Sequence, residues 1–87
     1  MIVEWVGMIK GRGYCAVVML MGPEPKLGSW VRRESDCAMW QIKAIDWYAV
    51  PRRPHAGDRV GLIVHEAAGA PPLAMGDAIT LHAYAGC

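Results

Sequence analysis

Two arginine pairs, Arg32-Arg33 and Arg52-Arg53, bracket a stretch that carries Trp40, Trp47 and Tyr48. Guanidinium groups beside exposed rings form the usual platform for single-stranded nucleic acid. The cations hold the phosphate backbone and the rings stack on bases. A plainer use competes with this one: the indoles fill a core and the arginines rim it. The chain has four Trp and no Phe, so some Trp must pack internally.

A second cation, Arg12, stands between two glycines in Gly11-Arg12-Gly13. A glycine-rich loop cradles phosphate when a helix follows and points its N-terminus at the anion. Here the run 14–21 follows, which is apolar and strand-like, so the glycines read as hairpin geometry with Arg12 at the tip. His55, His65 and His82 are scattered, and no Ser or Cys stands in a nucleophile elbow. No nucleophile–base–orienter set is visible, and neither an enzyme nor a cofactor is expected. Gly57-Asp58-Arg59-Val60-Gly61-Leu62 echoes Gly76-Asp77-Ala78-Ile79-Thr80-Leu81. The paired aspartates could suggest a metal. They fit better as strand-opening turns, with glycine at positive φ and aspartate bonding its own backbone.

Cys15, Cys37 and Cys87 are odd in number and unrelated in spacing. They match neither a disulfide framework nor a zinc site, so three reduced thiols in a cytoplasmic protein are expected. Nine Lys/Arg stand against eight Asp/Glu, a net charge of +1. That is not the bulk signature of a nucleic-acid binder, though it permits a local basic patch. No apolar run approaches the ~20 residues of a membrane helix, the opening residues do not read as a signal peptide, and no membrane association is expected.

The elements that must position these residues are short. Eighty-seven residues, 54% of them hydrophobic, make one domain, 1–87. Ten glycines and six prolines cut the chain into β-rich segments with no sustained 3.6 period. The runs predict six strands, at about 2–10, 14–21, 29–33, 39–48, 59–65 and 78–84. Pro-containing stretches 22–25, 51–57 and 67–72 connect them. The fold class is all-β, a small six-stranded Greek-key barrel. Alternation is imperfect, since strands one and two are apolar on both faces. Either the outer face meets another copy of the chain, or bulges re-aim side chains within the strand.

Taken in order, Ile9-Lys10-Gly11-Arg12-Gly13, Leu27-Gly28-Ser29-Trp30-Val31, Ile42-Lys43-Ala44-Ile45-Asp46, Ala56-Gly57-Asp58-Arg59-Val60-Gly61-Leu62 and Gly76-Asp77-Ala78-Ile79 form a pattern. It resembles the second, β-barrel domain of translational GTPases such as elongation factor Tu, over nearly the whole chain. The resemblance implies a six-stranded Greek-key barrel. In that family the domain helps hold the aminoacylated end of tRNA, and Asp46 matches the acidic position used there. The matching basic position falls near Ala49, where no base stands. No G-x-x-x-x-G-K-(S/T) is present, so nucleoside triphosphate binding is not expected. Arg12-Gly13-Tyr14-Cys15 also resembles, more loosely, the R-x-Y-(S/T) element of flavin-reductase barrels, which would make the chain a small-ligand or flavin-binding barrel.

These readings converge on a non-enzymatic binding module with a protein or RNA partner. Its candidate contacts are Arg12, Arg32, Arg33, Trp40, Asp46, Trp47, Tyr48, Arg52 and Arg53. The alternative is a free-standing, homo-oligomeric interaction domain that uses apolar strand faces and the methionines Met19 and Met21, which adapt to irregular partners.

Overall fold

The computed structural model describes residues 1–21, 25–47, 57, 59–66 and 71–85, and of Trp47 the backbone only. Six strands form where β-branched and aromatic runs lie between glycines and prolines: β1 (Val3–Ile9), β2 (Gly13–Met19), β3 (Trp30–Arg33), β4 (Met39–Trp47), β5 (Arg59–Val64) and β6 (Ile79–His82). Five fall within the predicted segments, and β2 begins one residue before its own, at Gly13. They make one sheet in the order β1-β2-β5-β4-β3-β6, antiparallel throughout. β3, β4 and β5 are consecutive neighbours, with β2 beside β5 and β6 beside β3, which is the Greek-key arrangement.

The sheet curls until its two edge strands meet. Ile2 bridges Ala78. Around that bridge Val3 N–H donates to Asp77 O, Ile79 N–H to Met1 O, and Gly76 N–H to Val3 O, at 2.8–2.9 Å. The Met1 ammonium returns a bond to Ile79 O at 3.0 Å. β4 turns a corner on the way round: its first residues pair with β3, and from Ile42 onward it pairs with β5. The register shift at Lys43, between Ile42 and Ala44, supplies the local bend.

Bulges account for part of the broken alternation. β1 shifts register between Val3 and Trp5, so Val3 faces inward before the shift and Val6 after it; both pack on the core. Inside lie Ala16, Val18, Val31, Ile42, Val60, Leu62 and Ile79 with Trp40. Each fully buried Val, Leu or Ile contributes about 1.5–3 kcal/mol relative to exposure. On the opposite side of β2 and β5, Cys15 stands across from Ile63 and both are fully buried. At Cys15 the second apolar face of β2 is therefore covered within the chain, while Val17 and Met19 on that face stay half-buried.

The segment 71–77 crosses one end of the barrel. Leu73, 1% exposed, drops into the core as a stopper. The segment then turns at Gly76, whose φ of +91° suits glycine. Asp77 closes that turn by accepting from Ala74 N–H at 2.9 Å. The second Gly-Asp sequence is thus a strand-opening turn, as its residue types predict; Asp58 of the first lies outside the described residues.

Candidate binding surface

The structure divides the predicted contacts into groups with different fates. Arg33 is buried, with 6% of its surface exposed. It follows Val31 on the inward face of β3, because side chains two apart share a face. Its guanidinium uses all five N–H donors. Nε and Nη2 form a fork on Asp36 at 2.9 and 2.8 Å. Nη1 donates to Asp77 Oδ2 and Pro72 O at 3.2 Å, and Nη2 donates also to Pro71 O at 3.0 Å. The ring of Trp40, itself 3% exposed, lies beneath it. The expectation that Arg33 and Trp40 face a partner is corrected on both counts. The pair ties the crossing segment to the barrel wall, and neither offers a free surface.

The electrostatics follow from that geometry. The hydrogen bond from Arg33, then the Ala38 N–H, lowers the Asp36 carboxyl from 3.8 to about 2. The hydrogen bond to Asp36 raises the Arg33 guanidinium above its ordinary value against the opposing cost of burial, with Asp77 adding to the rise. Tyr14 completes the clasp by donating its hydroxyl to Leu73 O. Burial, then the nearby Asp77 charge, raises the tyrosine above 10.0.

Arg12 and Asp46 are brought together, and with each other. Arg12 Nη1 donates to Asp46 Oδ1, joining the tip of the β1–β2 hairpin to β4. Gly11 has φ of +80° at that tip, as a tight hairpin requires. Two residues predicted as separate contacts thus neutralise one another. Arg32 faces away from Val31 and Arg33; its Nε is buried and has no hydrogen-bond partner among the described residues. Tyr48, Arg52, Arg53, His55 and Cys87 lie outside the described residues, as does the side chain of Trp47. Arg52 and Arg53 therefore stand as the sequence left them.

Cys37 corrects another expectation: it is disulfide-bonded, so the chain does not carry three reduced thiols. It sits in the β3–β4 turn with φ of 59°, a left-handed position uncommon for a residue with a Cβ. Its sequence spacing gave no signal for this.

Concave regions open on the surface of the described residues. One, of about 320 Å³, lies at the Arg33 end between Met8, Tyr14, Trp40, Val64, His65 and Pro72. His65 is exposed, and the Tyr14 hydroxyl is occupied by Leu73 O. Among the described residues no three His, Cys, Asp or Glu side chains group to hold a metal. Another, of about 400 Å³, runs along β6. His65 and His82, which could have met at neighbouring strand ends, do not share either cavity. His82 Nε2 is instead 2.7 Å from Thr80 Oγ1. Large apolar side chains stand out in solvent, among them Ile2 at 53%, Met21 at 65% and Leu27 at 68% exposed. Comparison with protein-family models, with curated proteins and with solved structures finds no match to this chain.

Proposed function

We propose that the chain is a non-enzymatic binding module whose partner is a protein, built on a barrel of the kind that resembles the second domain of translation factors. One observation carries the choice of protein over RNA. Of the described members of the expected nucleic-acid platform, Arg33 and Trp40 are turned inward and Arg12 is neutralised by Asp46, leaving Arg32, while Ile2, Met21 and Leu27 project into solvent. Exposed apolar side chains give a protein partner something to cover and give a phosphate backbone nothing to bind. A lasting disulfide at Cys37 requires an oxidising setting, which counts against the cytoplasmic residence expected from the cysteine spacing.

The test is fluorescence anisotropy with labelled single-stranded RNA at low ionic strength, where phosphate contacts are least screened. No binding is expected. Salt-sensitive binding that Arg52→Glu with Arg53→Glu abolishes would replace the protein partner by RNA. Sedimentation velocity over a concentration series addresses the homo-oligomeric alternative: a concentration-independent monomer is expected, and reversible dimers would favour self-association.

A further inference from the structure

The bulge in β1 sends two consecutive side chains to the same side. Val3 and Val6 both pack on the core. Glu4 and Trp5, the two residues between them, both stand exposed on the outer face. One use of a bulge is to re-aim a side chain in this way. Trp5 stands opposite Val17 of β2, and Met19 of β2 stands opposite Arg59 of β5. Side chains two apart share a face, so Trp5, Val17, Met19 and Arg59 lie on one outer face, with Glu4 beside them.

The indole is seated as a platform. Its carbons Cη2, Cζ2 and Cζ3 lie 2.3, 2.7 and 3.1 Å from the point where a Cβ on Gly7 would stand. An edge-on ring would turn the neighbours of its nearest carbon farther away, so the ring meets that point with its face. One face of Trp5 thus rests on the backbone at Gly7, and the missing side chain admits it. The residue is 48% exposed, and that area is the opposite face. Beside it Arg59 Nε donates to Glu4 Oε1 at 3.0 Å. The bond spends one of five guanidinium donors and one of two carboxylate oxygens. Arg59 Nη1 and Nη2 and Glu4 Oε2 bond nothing among the described residues, and the two side chains are 56% and 34% exposed.

We propose that this face binds an uncharged oligosaccharide, with one sugar ring stacked on Trp5 and a neighbouring ring held through its hydroxyls by Arg59 and Glu4. The inference goes beyond the protein-partner reading and uses none of Ile2, Met21 and Leu27. Charge and hydrogen-bonding capacity select the ligand. The Glu4–Arg59 pair is neutral as a unit. A phosphate would meet the carboxylate and a cation would meet the guanidinium, each against the attraction of the other group. A neutral ligand avoids both. The pair offers donors and an acceptor side by side, and a hydroxyl both donates and accepts. A proline-rich segment brings carbonyl acceptors and few donors, which leaves Glu4 Oε2 unmatched. The C–H face of a sugar ring is weakly positive, and the face of an indole is negative. Val17 and Met19, half-buried on β2 between β1 and β5, give the sugar an apolar floor from the ring to the ion pair.

The probes are uncharged tetrasaccharides of β-linked glucose, α-linked glucose, β-linked N-acetylglucosamine and β-linked mannose. Each is titrated into the intact chain and followed by NMR at the Trp5 indole N–H and the Arg59 Nε–H. Saturable shifts of both signals with at least one of these sugars are expected. Trp5→Ala should weaken that binding at least about tenfold, and Arg59→Gln at least about threefold. Both residues are exposed on the outer face, so the fold should survive either change. If Trp5→Ala does not fold, Arg59→Gln and Gly7→Ala decide the matter, the second by lifting the ring from its seat. No saturable shift with any of the sugars would overturn the proposal, and so would an affinity that Trp5→Ala leaves unchanged. A heparin tetrasaccharide that binds where the uncharged sugars do not would reduce the site to Arg59 as a cation and overturn it too. A proline-rich peptide that shifts Trp5 when no sugar does would assign the platform to a peptide instead. Each of these results leaves the protein-binding reading standing, since its exposed residues lie elsewhere.

Discussion

The guanidinium carbon of Arg33 lies 4.9 Å from the centroid of the Trp40 ring, with both side chains buried. The contact places a cation on the negative face of the indole while the five N–H groups reach Asp36, Asp77, Pro71 and Pro72. One side chain therefore joins β3, the β3–β4 turn and the segment that crosses the barrel end. Arg33→Ala should lower unfolding stability by about 3 kcal/mol, since it strands two carbonyls and opens a void over Trp40. Arg33→Lys should recover only part of the loss, because an ammonium cannot reproduce the planar fork. Urea denaturation of the three proteins, followed by tryptophan emission, checks both.

The Asp36 end of the same fork titrates. Its carboxyl is held at about 2 against an ordinary 3.8. A depressed folded value means that the contribution is complete above the unfolded value and is lost as pH falls through the folded one. Stability should therefore decline between about pH 4 and pH 2. Asp36→Asn should be less stable than the wild type at neutral pH and should lose less on acidification through that window. Equal acid slopes for the two proteins in urea melts would show that the fork contributes nothing.

Most of the strand pattern was legible because the signals are local. Val, Ile, Trp and Tyr runs lie between Gly and Pro, and each strand overlaps its predicted segment, β2 alone starting a residue early at Gly13. What the sequence hides is register and direction. Arg32-Arg33 looks like a surface patch until β3 is known to point Val31, and with it Arg33, inward. Val31 two residues earlier was the available signal, but which face of so short a strand is buried depends on β6 and β4. Arg12 and Asp46 are thirty-four positions apart; their pairing follows from β1, β2, β5 and β4 lying side by side. The meeting of β1 and β6 at Ile2 and Ala78 joins distant parts of the chain, a contact that no local motif encodes.

A close approach on the outer face of β1 offers a sharper test. The Trp5 indole lies across Gly7, so that a Cβ placed on Gly7 would come within 2.3 Å of the ring. The ring is half exposed and can swing away. Gly7→Ala should thus displace it, red-shift its emission, and cost about 1 kcal/mol of apolar contact. In a Trp5→Ala background the same glycine change should be nearly neutral. A double-mutant cycle in urea therefore isolates the contact, and additive losses would show that Gly7 matters for another reason.

Tyr14 makes the last contact with the crossing segment, through its hydroxyl and Leu73 O. Tyr14→Phe leaves that carbonyl without its donor and should cost about 1–2 kcal/mol near neutral pH. The phenol is raised above 10.0, first by burial and then by Asp77. For a group whose folded value is raised, the contribution is complete below the unfolded value and is lost as pH climbs through the folded one. The wild type should therefore lose stability above pH 10 more steeply than Tyr14→Phe, and the two denaturation midpoints should converge in strong alkali. Ultraviolet titration of phenolate provides the direct measure. Tyr14→Phe should delete a tyrosine that ionises later than a free phenol; deletion of one that ionises at the ordinary value would mean that the hydroxyl is open to water and does not hold the segment carrying Leu73.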